Sequence, residues 1–220
     1  MKVEGLFSHL ASAEVVDSVQ VDEQIACFEQ AVALVRQNGL APDYLHIANT
    51  SAIATRPKAW MNLVRPGIGL YGYQLPSVSE NKMCDLPVRP VLSWKTRIFS
   101  LRNVGAGQAI GYSCAYVTPA PARIAALPVG YADGLSRKLS SCGRVIVNDQ
   151  YAPIVGNVSM DITLVDVTGI PGAEIGSEAI ILGQSQHCSV TAADHARLAG
   201  TIPYEILCNI SKRVPRQYIG

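Results

Sequence analysis

Two patterns of apolar residues divide this chain into a first and a second part. In its first part, short apolar runs at residues 5–10, 44–48 and 63–65 predict strands, while helical spacing at residues 21–38 and 51–56 predicts helices. This alternation of strand and helix predicts parallel strands joined by helical crossovers.

From about residue 86 the rhythm changes to short β-rich runs, separated by turns that contain glycine or proline. Such close spacing is typical of a compact all-β domain. One helix is expected there, over residues 192–198, because Thr191 can cap its start and Gly200 its end. The predicted strands are 91–101, 122–127, 145–147, 162–167 and 178–182.

A proline-rich polar segment, residues 76–90, is the predicted linker, which gives two domains, 1–85 and 86–220. The predicted fold class is α/β plus all-β, with part of a (β/α)₈ (TIM-like) barrel followed by a β-strand-rich domain. Only three βα units precede the linker, whereas such a barrel needs eight. We therefore expect that the first part cannot close a barrel by itself.

Composition excludes several classes of function. The 220 residues are 49% apolar and 16% charged, which is enough apolar material for a folded core. The net charge of +1 gives no electrostatic footprint for nucleic acid or an anionic membrane. No apolar run reaches the roughly 20 residues of a bilayer span, and the N-terminus lacks the apolar core of a signal peptide.

The six cysteines are scattered and form no C-x-x-C pair or cluster with the four histidines. We therefore predict no metal site and no disulfide framework. Reduced thiols favour a cytoplasmic location.

Polar residues end the three barrel-like strands: His9, His46 with Asn49, and Arg65. In (β/α)₈ enzymes functional residues collect at these strand ends, although each could equally be a polar residue satisfied locally. The loop 65–72 is rich in glycine, so its backbone N–H groups could approach an anion closely. A plain turn is the alternative.

Seven segments, in order, resemble alanine racemases. In the first part, residues 5–14 are similar to "GLMTHFASADE", residues 45–51 to "HxANSA" and residues 64–72 to "VRPGIxLYG". The later segments are Ile110-Gly111-Tyr112-Ser113, residues 129–134, residues 155–161, and residues 211–216, which match the terminal "RVPR".

This resemblance implies an enzyme that interconverts L- and D-alanine with pyridoxal phosphate in the barrel mouth, supplying D-alanine for peptidoglycan. His9 would stack on the cofactor ring, Arg65 would hydrogen-bond the pyridine nitrogen, and His46 would orient Arg65. A cationic partner should keep that nitrogen unprotonated. The phosphate and its surroundings would involve Asn49, Thr50, Gly67, Ile68 and Lys212, the last standing where the family often has a tyrosine.

Racemisation removes a proton on one face of the α-carbon and delivers one on the other, so it needs two acid/base groups. By resemblance Tyr112 is the base for the L-enantiomer; alone, it would be read as a packed strand or turn tyrosine. An ordinary tyrosine titrates near ~10, so it would need nearby positive charge or hydrogen bonds.

The resemblance also implies a substrate site and a dimer. The Met160 backbone N–H would bind the substrate carboxylate, with Tyr131 beside it, and these residues and Tyr112 would reach the partner subunit's cofactor. A head-to-tail homodimer is therefore implied. The entrance to the site would involve Arg137, Glu14 and Asn157.

The other base of the family is a lysine in a segment like "VVKANAYGHG". The six lysines here, none in that context, are Lys2, Lys58, Lys82, Lys95, Lys138 and Lys212.

Three hypotheses about the chain remain open. The chain is the C-terminal portion of an alanine racemase from a truncated or partial gene, a non-catalytic module kept for dimerisation or partner binding, or a racemase of serine or another small amino acid. An in-frame "KANAYGHG" upstream would support the first and exclude the second. Substrate kinetics would test the third.

Overall fold

The computed structural model describes residues 2–74 and 86–219, and these form two compact units. The first unit ends at Val91 and the second begins at Leu92. Residues 76–85 of the predicted linker, and with them the predicted domain end at residue 85, lie outside the described residues.

The first unit contains a βαβ element. Strands β1 (Gly5–Phe7) and β2 (Tyr44–His46) pair in parallel and are joined by helix α1 (Val19–Gln37). Helix α2 (Thr50–Thr55) follows β2, and two 3₁₀ turns come after it, Pro57–Trp60 and Gly67–Tyr71. The predicted alternation of strand and helix is confirmed up to α2.

Helix α1 is amphipathic in the way that its sequence predicts. The Ser18 hydroxyl accepts the Val21 N–H and caps the N-terminus. Val21, Ile25, Phe28 and Val32 are buried at helical spacing and pack with β2 in one apolar cluster. This face fixes the helix against the strands.

The predicted third strand at residues 63–65 is wrong, since these residues form no ladder. One backbone bond remains there, from the Arg65 N–H to the Ala48 carbonyl at 3.0 Å. Pro66 follows directly and has no N–H to extend the pairing. The segment still lies beside the end of β2, so Arg65 is placed without a strand.

The second unit is almost entirely antiparallel. Its strands are β3 (Trp94–Arg97), β4 (Ser100–Val104), β5 (Ala109–Ile110), β6 (Tyr116–Val117), β7 (Ala122–Leu127), β8 (Arg144–Val147), β9 (Gln150–Pro153), β10 (Thr163–Asp166), β11 (Glu178–Gln184) and β12 (Ser189–Val190). One sheet has the order β10-β7-β4, and a second has the order β12-β11-β8-β9 with β3 also paired to β11. Strands β5 and β6 form a separate hairpin.

The single strand predicted over residues 91–101 is wrong, because the chain changes sheets within it. The Ile98 N–H donates to the Ser177 carbonyl, whereas the next N–H, of Phe99, donates to Ala126. Consecutive N–H groups on a strand point in opposite directions, so one residue step leads from β3 to β4. The strands predicted at 122–127, 145–147, 162–167 and 178–182 are present within one or two residues.

Helix α3 (Ala192–Ala199) confirms the predicted helix and its ends. Thr191 and Asp194 form a reciprocal capping box, and Gly200 closes the helix in the left-handed conformation. Helix α4 (Pro203–Cys208) follows it and was not predicted. Within residues 2–74 and 86–219 no helix has the length and apolar character to span a bilayer.

His195 on α3 makes the stability of the second unit pH-dependent. Its side chain is 2% exposed and burial lowers its pKa from 6.5 to about 4. Between these values the unfolded chain binds more protons than the folded one, so stability is full above about pH 6.5 and falls as the pH drops toward 4. At 1.36 kcal/mol per pKa unit the loss approaches about 3 kcal/mol.

Urea unfolding between pH 7.5 and 4.5 should show this loss in the wild type. His195→Gln, which stays neutral, should flatten the profile, and the difference between the two proteins isolates His195 from other titrating groups. An equal slope in both proteins would contradict the assignment.

Candidate functional site

In the first unit, Arg65 ties together the ends of β1 and β2. Its Nη1 donates to the His46 ring Nδ1 at 2.5 Å and to the His46 carbonyl at 3.1 Å. Its Nη2 donates to the Ser8 carbonyl at 2.7 Å and lies 3.4 Å from His9 Nδ1. We call these four residues together with Phe7 the arginine cluster. The sequence places His9, His46 and Arg65 at the ends of predicted strands, and the structure brings them together.

The protonation state of His46 follows from its partner. A guanidinium has only donors, so the Nδ1 atom of His46 has to present its lone pair and the proton resides on Nε2. Burial lowers the pKa of His46, and the charge of Arg65 lowers it further. His46 is therefore a neutral acceptor that orients the guanidinium.

Phe7 belongs to the cluster, although it is not among the residues predicted for the site. Its ring stacks on the His46 ring, with centroids 5.5 Å apart and planes within 7°, and the Arg65 Cζ lies 5.7 Å from the ring centroid. Side chains alternate along a strand, and Phe7, two residues before His9, is the register partner of His46 on β2. That alternation is the signal that could have found it.

With these contacts made, one N–H group of the Arg65 guanidinium has no acceptor among the described residues. Both terminal nitrogens are used within the cluster, whereas Nε donates to nothing in the described parts of the chain. The guanidinium is thus fixed in orientation with one N–H available.

The glycine-rich loop begins a 3₁₀ turn beside α2. The Gly67 and Ile68 N–H groups donate to no acceptor among residues 2–74 and 86–219, as expected for the first residues of a helical turn. The Thr50 hydroxyl donates to the Pro66 carbonyl and accepts the Gly69 N–H at 3.1 Å. The free Gly67 and Ile68 N–H groups of the loop therefore lie beside the Thr50 hydroxyl of α2.

Asn49 is the N-cap of helix α2. Its side-chain oxygen accepts the Ala52 N–H at 3.0 Å and caps α2. It thereby positions Thr50, the first residue of that helix.

In the second unit, Tyr112 stands on a tight turn between β5 and β6. Gly111, Ser113 and Cys114 all have positive φ, at 75°, 62° and 51°, which is unfavourable for the two non-glycine residues. The Tyr112 side chain is 73% exposed. The Asn157 amide donates to the Tyr112 carbonyl at 3.0 Å, so a residue predicted for the entrance also holds this turn.

Tyr131 and Met160 lie on two loops that interlock through their backbones. The Tyr131 N–H donates to the Ser159 carbonyl at 2.9 Å, and the Ala132 N–H donates to Met160 at 3.0 Å. A β-carbon on Gly130 would lie 2.2 Å from the Ser159 oxygen, so only glycine fits there. The Met160 N–H itself donates to none of the described residues.

Other predicted residues are less constrained. Arg137 and Lys212 are exposed, Glu14 is half-buried, and none of the three side chains has a hydrogen bond or ion pair within the described ranges. Lys82 lies outside those ranges. Lys2 pairs with acidic groups at the edge of the first unit and Lys95 with Glu178, while Lys58 lines a cavity of about 650 Å³ that contains no predicted site residue.

The part of the chain that the structure describes holds no group of three or more His, Cys, Asp or Glu side chains able to bind a metal ion. The candidate groups are Arg65 and the free loop amides in the first unit and, separately, the exposed Tyr112 and Tyr131 in the second. A βαβ unit with polar side chains at its strand ends, followed by an antiparallel β domain, matches a class of proteins in which part of an α/β barrel precedes a β domain.

Comparison with known proteins identifies that class. The alanine racemase N-terminal domain model matches residues 1–75, and the C-terminal domain model matches residues 91–218. The chain belongs to the alanine racemase family.

Individual relatives agree with this. Alanine racemase 2 of Caldanaerobacter subterraneus subsp. tengcongensis is 42% identical over 219 residues, covering 100% of this chain and 56% of that protein. The structure of alanine racemase from Streptomyces coelicolor is 36% identical, with a TM-score of 0.90, over 99% of this chain and 56% of the other. Alanine racemase from Bartonella henselae, with covalently bound pyridoxal phosphate, is 31% identical with a TM-score of 0.82, over 98% and 56%. The chain thus spans a little over half the length of the relatives it matches.

The His46 contact predicts a change in titration. Replacing Arg65 with methionine removes the nearby positive charge, so the pKa of His46 should rise toward its ordinary value of 6.5. NMR titration of the histidine rings in the wild type and Arg65→Met measures this rise. Arg56→Met, which removes an arginine paired with Asp22 instead, is the control and should leave His46 unchanged. An unchanged pKa in Arg65→Met would refute the contact.

The Asn157 contact predicts local loosening. Asn157→Ala removes the bond to the Tyr112 carbonyl, so amides of residues 112–115 should exchange with deuterium several-fold faster while global stability falls by only about 1 kcal/mol. Asn103→Ala on β4, an exposed asparagine without a side-chain bond in the described residues, is the matched control. Equal exchange in all three proteins would show that Asn157 does not hold the turn.

Proposed function

We propose that this chain supplies cofactor and substrate groups to an alanine racemase that interconverts L- and D-alanine with pyridoxal phosphate. The observation that carries the proposal is the arginine cluster, which fixes Arg65 and leaves its Nε–H free. A single directed donor suits the pyridine nitrogen. The positive charge would keep that nitrogen unprotonated.

The glycine-rich loop fits the phosphate. The free N–H groups of Gly67 and Ile68 are donors for an anion. The Thr50 hydroxyl would join them by exchanging the Pro66 carbonyl for a phosphate oxygen. By the family resemblance, Lys212 is a further proposed contact of the phosphate.

When bound, pyridoxal phosphate withdraws electrons from the α-carbon of the attached amino acid and makes its proton acidic. A positively charged Arg65 beside the pyridine nitrogen would limit this withdrawal, which suits a reaction that only exchanges one proton at the α-carbon. His9, exposed beside Arg65, would pack against the ring.

Tyr112 is proposed as the base that exchanges the proton on the L-face through its phenolic oxygen. Its exposed side chain supports a role toward another surface. Met160 would donate its free N–H to the substrate carboxylate, with Tyr131 alongside and Arg137, Glu14 and Asn157 toward the entrance. We propose that these groups act on the partner subunit's cofactor in a head-to-tail homodimer in the cytoplasm, supplying D-alanine for peptidoglycan.

The second base is proposed to be a lysine that this sequence does not contain. Lys2 and Lys95 are paired with carboxylates, and none of the six lysines has the sequence context of the family's cofactor lysine. A polypeptide of these 220 residues should therefore not racemise alanine by itself.

Two proteins test the proposal. The first is the 220-residue polypeptide, for which we expect no racemisation and no absorption band of a lysine-bound cofactor. The second is a chimera in which this chain follows the part of the Caldanaerobacter racemase that it does not match. The chimera should racemise alanine, and Tyr112→Phe in it should lower kcat by about 10²–10⁴-fold.

The outcomes separate the alternatives. Activity of the short polypeptide would refute the lysine requirement, and a folded but inactive chimera would favour a non-catalytic module. A preference of the chimera for serine over alanine would replace the proposed substrate. Tyr151→Phe, a tyrosine on β9 bonded to Ser189, is the matched control and should keep full activity.

A further inference from the structure

Arg213 lies between two carboxylates next to the Met160 loop. Its Nη2 donates to Asp161 Oδ1 at 2.7 Å, and its Nε lies 3.4 Å from Asp133 Oδ1. Asp161 directly follows Met160 in the chain. One guanidinium therefore faces two negative charges at the place where the free Met160 N–H lies.

The two carboxylates differ in what else they bind. The Asp133 side chain is mostly buried and its Oδ2 accepts the Gly130 N–H at 2.9 Å, so the backbone already stabilises it. The Asp161 side chain is 56% exposed, and Arg213 is the one hydrogen-bond or ion-pair partner of its carboxylate within the described residues. Asp161 consequently depends on Arg213 for neutralisation.

The position of Arg213 is itself fixed. The Ser211 N–H donates to the Asp133 carbonyl at 2.9 Å, and the Ser211 hydroxyl accepts the Arg213 N–H at 3.1 Å. The segment 211–213 is therefore anchored by hydrogen bonds, and this holds the guanidinium beside Asp133 and Asp161. This arrangement suits an electrostatic role better than a chance surface pair.

We propose that Arg213 is a positioning residue that neutralises Asp161 and so allows a carboxylate ligand to bind at the Met160 N–H. Without it, the ligand would meet an uncompensated negative charge on the residue next to its donor. The inference rests on the proposed role of Met160. It adds that the arginine acts through Asp161 and not by contact with the ligand.

The first test uses the 220-residue chain with acetate as the probe, followed through the Met160 amide resonance. Acetate should shift that resonance in the wild type. Arg213→Met should weaken acetate binding about tenfold, the order expected for one uncompensated nearby charge, and Arg213→Lys should restore part of it. The double variant Arg213→Met/Asp161→Asn should bind acetate nearly as well as the wild type.

A merely structural role would not give this rescue, because removing a second side chain cannot repair a disordered loop. Arg197→Met, which removes an exposed arginine paired with Asp194, is the control and should leave acetate binding unchanged. No acetate shift in the wild type, no weakening in Arg213→Met, or no recovery in the double variant would each overturn the inference.

The second test uses the chimera and separates this inference from the proposed function. Arg213→Met should raise KM for alanine about tenfold with little change in kcat, and Asp161→Asn should reverse the rise. An inactive chimera together with the expected acetate results would sink the racemase proposal and leave the role of Arg213 intact. An active chimera whose KM for alanine is unchanged by Arg213→Met would support the racemase proposal and overturn the role of Arg213.

Discussion

The geometry of the first unit depends on the hydrogen bonds of Arg65. Two backbone carbonyls and a neutral imidazole accept from its terminal nitrogens, so the guanidinium cannot rotate without breaking several charge-assisted bonds. The same contacts hold the end of β1 against the end of β2, and stacking of Phe7 on His46 closes the cluster. A lysine could not replace this arginine, because one ammonium group cannot reach all these acceptors in a plane.

In the second unit, backbone hydrogen bonds join the loops that carry Tyr131 and Met160. N–H groups of the Tyr131 loop donate to carbonyls of the Met160 loop beside Gly130, where no side chain fits. Tyr112 stands on a turn with two non-glycine residues in the left-handed region, held by Asn157. The exposed candidate groups thus lie on loops that hydrogen bonds hold in place, which keeps an exposed tyrosine or amide in a defined position.

Much of this could be predicted because local rules and the final fold agree. Helix α1 has a polar cap and a buried stripe at helical spacing, and α3 has a capping box and a closing glycine, so both were found from the sequence. The failures occur where distant partners decide. The N–H groups of residues 98 and 99 donate to different sheets, which no local sequence pattern shows. Residues 63–65 have the composition of a strand, but apart from the Arg65 N–H they make no ladder of backbone hydrogen bonds with a neighbouring strand.

The sequence by itself determined the family and the candidate residues, because short motifs keep their order and spacing whatever the surrounding packing. It also determined that no lysine lies in the expected context, since that is a property of composition and position. Tertiary structure alone decided the tautomer of His46, the membership of Phe7 in the arginine cluster and the sharing of Arg213 between Asp133 and Asp161. Each of these depends on atoms that are far apart in the chain and meet only when the strands and loops have packed.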